Sequence, residues 1–238
     1  MTEPTGTVLA YARGNPHVVS FVSGTGRAKT VIGLLLLTMV IAAVAFWAEY
    51  QQYQLIDSIK HGTKITMAEA RANDQRVRVV VLSYLTVLVI DVVFFMMWIH
   101  RVYRNLNSFP GPRSEYTPGW AVGYYFIPFL NLARGYQVMR EIFEKSRPQR
   151  LATRSISIVA VWWALWLLTG FIARLASIAT DPNAEKLDKL LSATRQSMIN
   201  HAVVWLPAIV AIIMVWQIDR MQQERSTEPE PMPPALPT

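Results

Sequence analysis

The chain has 238 residues, of which 52% are hydrophobic and only 16% are charged, and its formal net charge is +7. The absence of cysteine excludes disulfides and thiolate metal sites. Most of the apolar residues lie in long uncharged stretches, and the excess cations flank those stretches instead of covering one face of a soluble domain, so the charge does not indicate a nucleic-acid-binding protein.

Four stretches are long and apolar enough to cross a membrane. Residues 1–28 are polar and are predicted to form a cytoplasmic N-terminal segment. The first span, 31–48, has 18 residues without a charge, the length that a hydrocarbon layer of about 30 Å requires of a helix. The same test predicts spans at 79–99, 155–173 and 202–218. We therefore expect an all-α fold, a polytopic membrane helical bundle with a four-span domain over residues 29–220.

The connections on the outer side are predicted to be helical. Thr66 and Glu69 have the spacing of a capping box, so a helix should begin near Met67 and continue into span two. Asp181 and Pro182 have the pattern of a helix start that leads into span four. These extensions should pack together outside the membrane.

Span two carries a carboxylate, Asp91, where burial of a charge is costly and therefore uncommon. Asp91, Phe94, Trp98, Arg101 and Asn105 follow each other in steps of three and four, so they share one face of the helix. The sequence leaves two interpretations open. Asp91 belongs to a functional site, or it is simply protonated or hydrogen-bonded to a neighbouring helix.

The apolar segment 118–133 is predicted to be re-entrant or interfacial on the cytoplasmic side. From Gly119 to Ala133 a helix would measure only about 22 Å. A crossing here would also carry the cations from Arg134 to Arg154 to the outside, against the usual charge distribution. A short fifth span and a packing wedge without a ligand are the alternatives. Because Pro128 frees backbone groups, we expect Asn131 to join them in a network with the Asp91 face.

Two further segments complete the cytoplasmic side. Residues 135–146 have apolar side chains at helical spacing and predict an amphipathic helix in the inner interface, or a cytoplasmic helix packed on its own loop. Residues 221–238 are rich in proline and predict a disordered cytoplasmic tail. Nine cations between residues 100 and 154 place that segment, and with it both termini, in the cytoplasm.

Two motifs, WIHRVYRNL at 98–106 and PGWAVGYYFIPFLNLARGYQVMRE from Pro118, carry a family resemblance. They resemble the bacterial membrane family known as domain of unknown function 4328, over about residues 80–220. The resemblance implies a polytopic bacterial membrane protein and supplies no reaction. Where relatives often have proline after the arginine, this chain has Gly135, so a looser turn is expected there. The positions that match the family pattern are Trp98, Arg101, Asn105, Pro118, Gly119, Trp120, Pro128, Asn131 and Arg140.

Motifs for catalysis or for cofactors are not evident. The four histidines lie in different segments without metal-ligand spacing, so neither a metal nor a cofactor is expected. An enzyme remains the less favoured alternative, with His100, Glu115 and Arg104 as its candidate groups at the inner interface. The tryptophans Trp162, Trp163 and Trp166 are interpreted as packing or as part of an aromatic belt.

The sequence therefore favours a non-enzymatic protein of the bacterial cytoplasmic membrane. It would bind a lipid, a small solute or a protein partner on the cytoplasmic side, between span two and the re-entrant segment. A small channel or transporter that uses Asp91, and an interfacial membrane enzyme, are the alternatives. Expected partners are membrane lipid and either another protein or a second copy of the chain, but not nucleic acid. The candidate binding residues are Asp91, Trp98, Arg101, Asn105, Trp120, Pro128, Asn131 and Arg134.

Overall fold

The computed structural model describes residues 20–148, 158–178 and 185–228, and every regular element within them is a helix. Three helical units are long and apolar enough to cross a membrane. They are α1 (Thr25–Lys60), α2 (Met67–Asn105) and the nearly continuous pair α6 (Lys186–Val203) and α7 (Trp205–Ser226). The all-helical fold predicted from the sequence is confirmed, and three of the four predicted spans lie within these units.

The remaining predicted span, 155–173, corresponds to α5 (Ile158–Ile178). Its apolar part, Ile158–Ile172, is shorter than the other three, and residues 155–157 of the predicted span lie outside the described residues. The number of spans therefore stays a prediction.

The start of α2 is fixed by the predicted capping box. The Thr66 hydroxyl accepts a hydrogen bond from the Glu69 backbone N–H at 3.2 Å, and the Glu69 carboxylate accepts one from the Thr66 N–H at 2.7 Å. The latter bond lowers the pKa of the Glu69 carboxyl below its usual range. The helix start predicted at Met67 is confirmed, whereas Asp181 and Pro182 lie outside the described residues.

The C-terminal part of α1 packs against α6. Lys60 at the end of α1 forms an ion pair with Asp188 of α6 at 2.5 Å, and the Gln52 amide donates to the Thr194 hydroxyl at 3.4 Å. The sequence predicts that the extension from Met67 packs against the one that leads into span four. These contacts join α6 to α1, so that packing stays a prediction.

A break at Val204 separates α6 from α7. Pro207 is the third residue of α7. It has no N–H to offer the Val203 carbonyl, and its ring crowds that carbonyl. The helix is therefore interrupted within the apolar stretch 202–218, which is predicted from the sequence as one span.

A buried polar network joins the other ends of the long helices. The Asn105 amide of α2 donates to the Val22 carbonyl at 2.9 Å and to the Gln222 side-chain oxygen at 3.1 Å. The Gln222 amide of α7 donates in turn to the Val102 carbonyl at 2.9 Å and to the Ser146 hydroxyl at 3.0 Å. Asn105, Ser146 and Gln222 are all buried. These bonds connect the end of α2 to Val22 before α1, to α7 and, through Gln222, to the helix that ends at Ser146.

The opening segment of the second family motif folds back on itself. It consists of α3 (Pro118–Gly123), a 3₁₀ turn (Tyr124–Phe126), a tight turn and one wide π turn (Asn131–Gly135). At the tip, the Leu130 N–H donates to the Pro128 carbonyl at 2.8 Å. Phe129 has a left-handed backbone with φ 66° and an 86% exposed side chain. The segment thus places apolar side chains at an exposed tip, while its depth in a membrane stays a prediction.

The wide π turn packs closely against α5. The Trp163 indole N–H donates to the Leu132 carbonyl at 3.2 Å, and the Tyr125 hydroxyl donates to the Gly135 carbonyl at 2.9 Å. A Cβ atom on Gly135 would lie 2.7 Å from Trp163 Cη2 and 3.0 Å from Asn131 Oδ1. The bare glycine backbone at Gly135 therefore lets the indole approach, within a wide π turn.

The amphipathic helix α4 (Tyr136–Ser146) buries Val138, Met139, Ile142 and Phe143. Glu141, which the sequence pattern assigns to the polar side, accepts a hydrogen bond from the Tyr103 hydroxyl at 2.5 Å. This contact ties α4 to α2.

At the chain end, α7 continues to Ser226, although the sequence pattern places the start of the tail at residue 221. Residues 229–238 lie outside the described range.

The first prediction concerns the contact at Gly135. Gly135→Ala should lower the thermal unfolding midpoint in detergent, because the new methyl group would overlap with the Trp163 ring. Gly33→Ala is the matched control, because its Cβ would meet no atom within 4 Å and alanine favours a helix by roughly 0.5–1 kcal/mol. In a double-mutant cycle, Trp163→Phe should reduce the cost of Gly135→Ala. Equal midpoints for the two alanine variants would contradict this contact.

The second prediction concerns the buried network. Gln222→Leu should lower the free energy of unfolding by about 2–3 kcal/mol, because it leaves three buried partners on α2 and on the helix that ends at Ser146 without a hydrogen bond. Gln223→Leu is the matched control, since the Gln223 amide donates to Ser23 and Thr25 near the surface, where water can replace the lost bonds. Chemical denaturation of both variants in the same detergent measures the difference. A Gln223→Leu loss as large as that of Gln222→Leu would argue against the network.

Candidate ligand-binding site

A cavity of about 360 Å³ lies on the inner face of α2 and reaches α1, α5, α7 and the re-entrant candidate segment. Its walls combine aliphatic with aromatic side chains. The aromatic side chains that line it are Phe95, Tyr125, Phe126, Trp162, Trp163 and Trp166. A volume in this range is typical of sites for small molecules.

Three side-chain oxygens are buried around this cavity without a hydrogen bond of regular geometry to the described residues. They are Asp91 Oδ1 on α2, Thr38 Oγ1 on α1 and Asn131 Oδ1 at the start of the π turn. Asp91 is only 6% exposed. The Thr38 hydroxyl lies close enough to the Asp91 carboxylate to act as a donor to it. Because a carboxylate accepts several hydrogen bonds, Asp91 and Asn131 together still leave room for a further donor in the cavity.

The tryptophans form a connected wall. Trp163 lies between its neighbours, with ring centroids 5.5 Å from Trp162 and 5.0 Å from Trp166, the latter pair being stacked. Phe95 of α2 extends the wall, at 6.0 Å from Trp162. Aromatic faces attract cations, most strongly when water is excluded. Together with the carboxylate of Asp91, this wall suits a positively charged group with apolar substituents.

Of the eight candidate residues, the structure brings Asp91 and Asn131 to the cavity. Trp98, two helical turns after Asp91 on the same face of α2, is fully buried and packs on Phe95 at 5.5 Å between ring centroids. Its indole N–H has no partner among the described residues. Arg101 lies beyond it, next to Gly24. Asn105 belongs to the polar network with Gln222.

The other three candidates lie away from the cavity. Trp120 is exposed and packs on Tyr124 at 5.6 Å between ring centroids. Pro128 is exposed at the tip of the turn. Arg134 donates to the Tyr116 hydroxyl at 2.7 Å and to the Gln137 side chain at 2.8 Å. The cavity therefore receives the carboxylate and the amide but not the guanidinium groups.

Sequence reasoning missed Thr38 and treated the tryptophans only as packing. Thr38 belongs to a buried stripe of α1 that continues through Ala42, Ala45 and Glu49 at steps of four and three. This regular spacing of small and polar residues inside an apolar span could have identified the buried face of α1, and with it Thr38. The tryptophans carried no comparable signal, because their meeting with Asp91 depends on how α5 packs.

A second buried polar cluster lies between α1, α2 and α6. Glu49 of α1 is buried, and Ser197 donates to its carboxylate at 2.5 Å. His201 Nε2 lies 3.5 Å from the same carboxylate, and the His201 ring meets Tyr84 edge-on at 4.8 Å between centroids. Tyr84 precedes Asp91 by seven residues on α2, so the cluster and the cavity lie about two helical turns apart.

The cavity presents one carboxylate, that of Asp91, and two neutral side-chain oxygens, those of Thr38 and Asn131. Within residues 20–148, 158–178 and 185–228, no group of three or more histidine, cysteine or carboxylate side chains is placed to hold a metal ion. The arrangement is suited to binding a donor group, with the aromatic wall covering the remainder of the ligand.

A family model described as "Domain of unknown function (DUF4328)" matches residues 61–220. The match begins just before α2 and ends inside α7, so it includes every wall of the cavity except α1. The chain matches no curated protein and no solved structure. The family model covers well over half of the chain and includes the motifs at 98–106 and 118–141. The protein therefore belongs to the DUF4328 family.

Proposed function

We propose that the protein is a non-enzymatic, multi-pass protein of the bacterial cytoplasmic membrane that binds a small amphipathic amine. The binding site is the tryptophan cavity between α2 and the segment 118–133. One observation carries this proposal: the buried carboxylate of Asp91 and the buried amide oxygen of Asn131 converge, beside the Thr38 hydroxyl, on a cavity lined by six aromatic side chains.

The chemistry of the three oxygens selects the ligand. A carboxylate and an amide oxygen are acceptors only, and an ammonium group supplies the N–H donors that they lack. A carboxylate without a counter-charge is costly inside a bilayer. A bound cation offsets that cost, and its apolar substituents would occupy the space between the indole rings.

The proposed topology has four spans with both termini in the cytoplasm and 118–133 as a re-entrant segment. The polar network supports it, because the end of α2 and the end of α7 meet the residues before α1 on the same side. The helix α5 has 21 residues, about 31 Å, which is enough for a span. The exposed side chains of Phe126 and Phe129 suit a tip immersed in lipid.

The third prediction tests the topology with single cysteines in this cysteine-free chain. Lys64→Cys should react with an impermeant thiol reagent in intact cells, and Glu144→Cys should react only after the membrane is opened. Both positions are exposed in the fold, so burial does not limit the reaction. Labelling of residue 144 in intact cells would establish a fifth span, and the cysteine-free chain measures the background.

The fourth prediction tests the ligand. Benzylamine, which at neutral pH carries an ammonium group with three N–H donors and an apolar ring, should change the tryptophan fluorescence of the purified protein and raise its unfolding temperature. Asp91→Asn should weaken this binding by about tenfold or more, since a charge-assisted contact contributes about 1.5–3 kcal/mol. Fluorescence titration measures both proteins.

Asp74→Asn is the matched control, because Asp74 is an exposed carboxylate on the same helix. Its affinity for the probe should equal that of the unchanged protein. Benzyl alcohol, which has the ring without the charge, should bind more weakly than the ammonium. Equal affinities of the Asp91→Asn variant and the unchanged protein would overturn the cavity as an amine site.

A second candidate function, transport, is favoured by the cluster of Glu49, His201 and Tyr84. It extends a line of titratable groups from Asp91 towards the outer surface, an arrangement found in proton-coupled carriers. In proteoliposomes with an internal pH dye, a transporter would move protons when the amine probe is added, and His201→Gln and Asp91→Asn would each abolish the signal. Binding without any flux would leave the first function in place.

The enzyme alternative has the least support. His100 borders the lipid-side face of α2. Glu115 accepts a hydrogen bond from the neighbouring Tyr116 hydroxyl at 2.7 Å and lies 3.9 Å from Arg134. Among the described residues, no hydrogen bond or ion pair joins His100 to Glu115.

A further inference from the structure

A second and larger concavity lies on the face of α2 that points away from the bundle. It is a groove of about 840 Å³ between α2 on one side and α3 with Phe126 on the other. Its walls are apolar and open to the surroundings, with Val89 63% exposed and Val93 50% exposed. The bundle leaves this surface for the lipid to cover.

The groove ends in a group of cations. Arg27 of α1 and His100 of α2 line it directly. The guanidinium group of Arg27 crosses to α2, where it donates to the Met97 carbonyl at 3.1 Å. Arg101 and Arg104, on the next turn of α2, interact electrostatically with His100 and with each other.

These cations lack a protein counter-charge. Within the described residues, neither Arg27 nor Arg101 nor Arg104 forms an ion pair with a carboxylate, and the charges that act on His100 are the three arginines. Other cations of the cytoplasmic side, such as Arg140 and Arg220, do form ion pairs along their own helices. Mutual repulsion at the end of the groove is therefore uncompensated, and an anion at this place would remove it.

The dimensions of the groove match one lipid leaflet. Its α2 wall extends from Leu88 to His100, a rise of about 18 Å, and half of a hydrocarbon layer is about 15 Å. A molecule that fills the groove has an apolar part as long as one leaflet and a negative group at the cation end. Inorganic phosphate would satisfy the cations but leave the apolar walls uncovered.

We propose that this groove is a binding site for one anionic glycerophospholipid. Its phosphate lies among Arg27, His100, Arg101 and Arg104, and one acyl chain lies along Val89, Val93 and Phe126. The groove adjoins the tryptophan cavity, because Leu88, Val92, Met96 and Phe126 line both. Arg27, His100 and the exposed Val89 and Val93 line the groove but not the cavity, so the lipid site does not depend on the function proposed for the cavity.

The fifth prediction measures lipid affinity by native mass spectrometry of the purified full-length chain in detergent. Dioleoyl phosphatidylglycerol should bind to the unchanged protein about tenfold or more tightly than dioleoyl phosphatidylcholine. Arg27→Gln combined with Arg104→Gln should remove most of this preference. Arg140→Gln combined with Arg220→Gln is the matched control, because it removes the same charge from the same side and should keep the preference.

The apolar wall is tested with Val93→Trp, which fills the groove at an exposed position and leaves the cations in place. This variant should bind phosphatidylglycerol more weakly, whereas its thermal unfolding midpoint without lipid should match that of the unchanged protein. Inorganic phosphate is the third ligand. A phosphate affinity equal to that of phosphatidylglycerol, or unchanged lipid binding in Val93→Trp, would overturn the lipid site. A preference lost equally in both double-arginine variants would show a general charge effect and would also overturn it.

Discussion

Gln222 determines how the long helices meet. Its side chain accepts from Asn105 and donates to the Val102 carbonyl and the Ser146 hydroxyl, and all of these groups are buried. Apolar helices in lipid have little hydrophobic reason to choose one register over another, so buried hydrogen bonds carry much of that choice. Because the network sets the level of α2 against α7, it also sets where Asp91 lies relative to the α7 residues that line the tryptophan cavity.

The segment 118–146 depends on this frame and on one aromatic residue. Trp163 bonds to the Leu132 carbonyl and covers Gly135, which fixes the π turn against α5. At the other end, Glu141 binds Tyr103 of α2. The segment is therefore held on two sides, and Asn131 is brought to the cavity by the turn that Trp163 stabilises. Irregular backbone of this kind is tolerated at membrane depth only where protein or water covers it.

The sequence predicted what depends on local pattern. Apolar length identified α1, α2 and the α6–α7 unit, and the spacing of Thr66 and Glu69 located the start of α2. It also placed Asp91, Trp98 and Asn105 on one inward face, which follows from the period of the helix. The sequence did not predict Thr38 or the tryptophan wall as parts of the site, because their positions depend on packing between helices that are distant along the chain. The break at Val204 was equally hidden, since a proline near the start of an apolar stretch is compatible with a straight helix or a bent one.

The break at Val204 affects how easily the α6–α7 unit bends. Because Pro207 leaves the Val203 carbonyl without its helical partner, bending α6 against α7 costs less at Val204 than elsewhere along the unit. Val204 and Pro207 both line the tryptophan cavity, and His201, which pairs with Glu49, lies one turn before the break. The volume around Asp91 is therefore bounded by the most easily bent point of the α6–α7 unit. A rearrangement of the Glu49 and His201 pair would change the angle between α6 and α7 at this point, and with it the shape of the cavity.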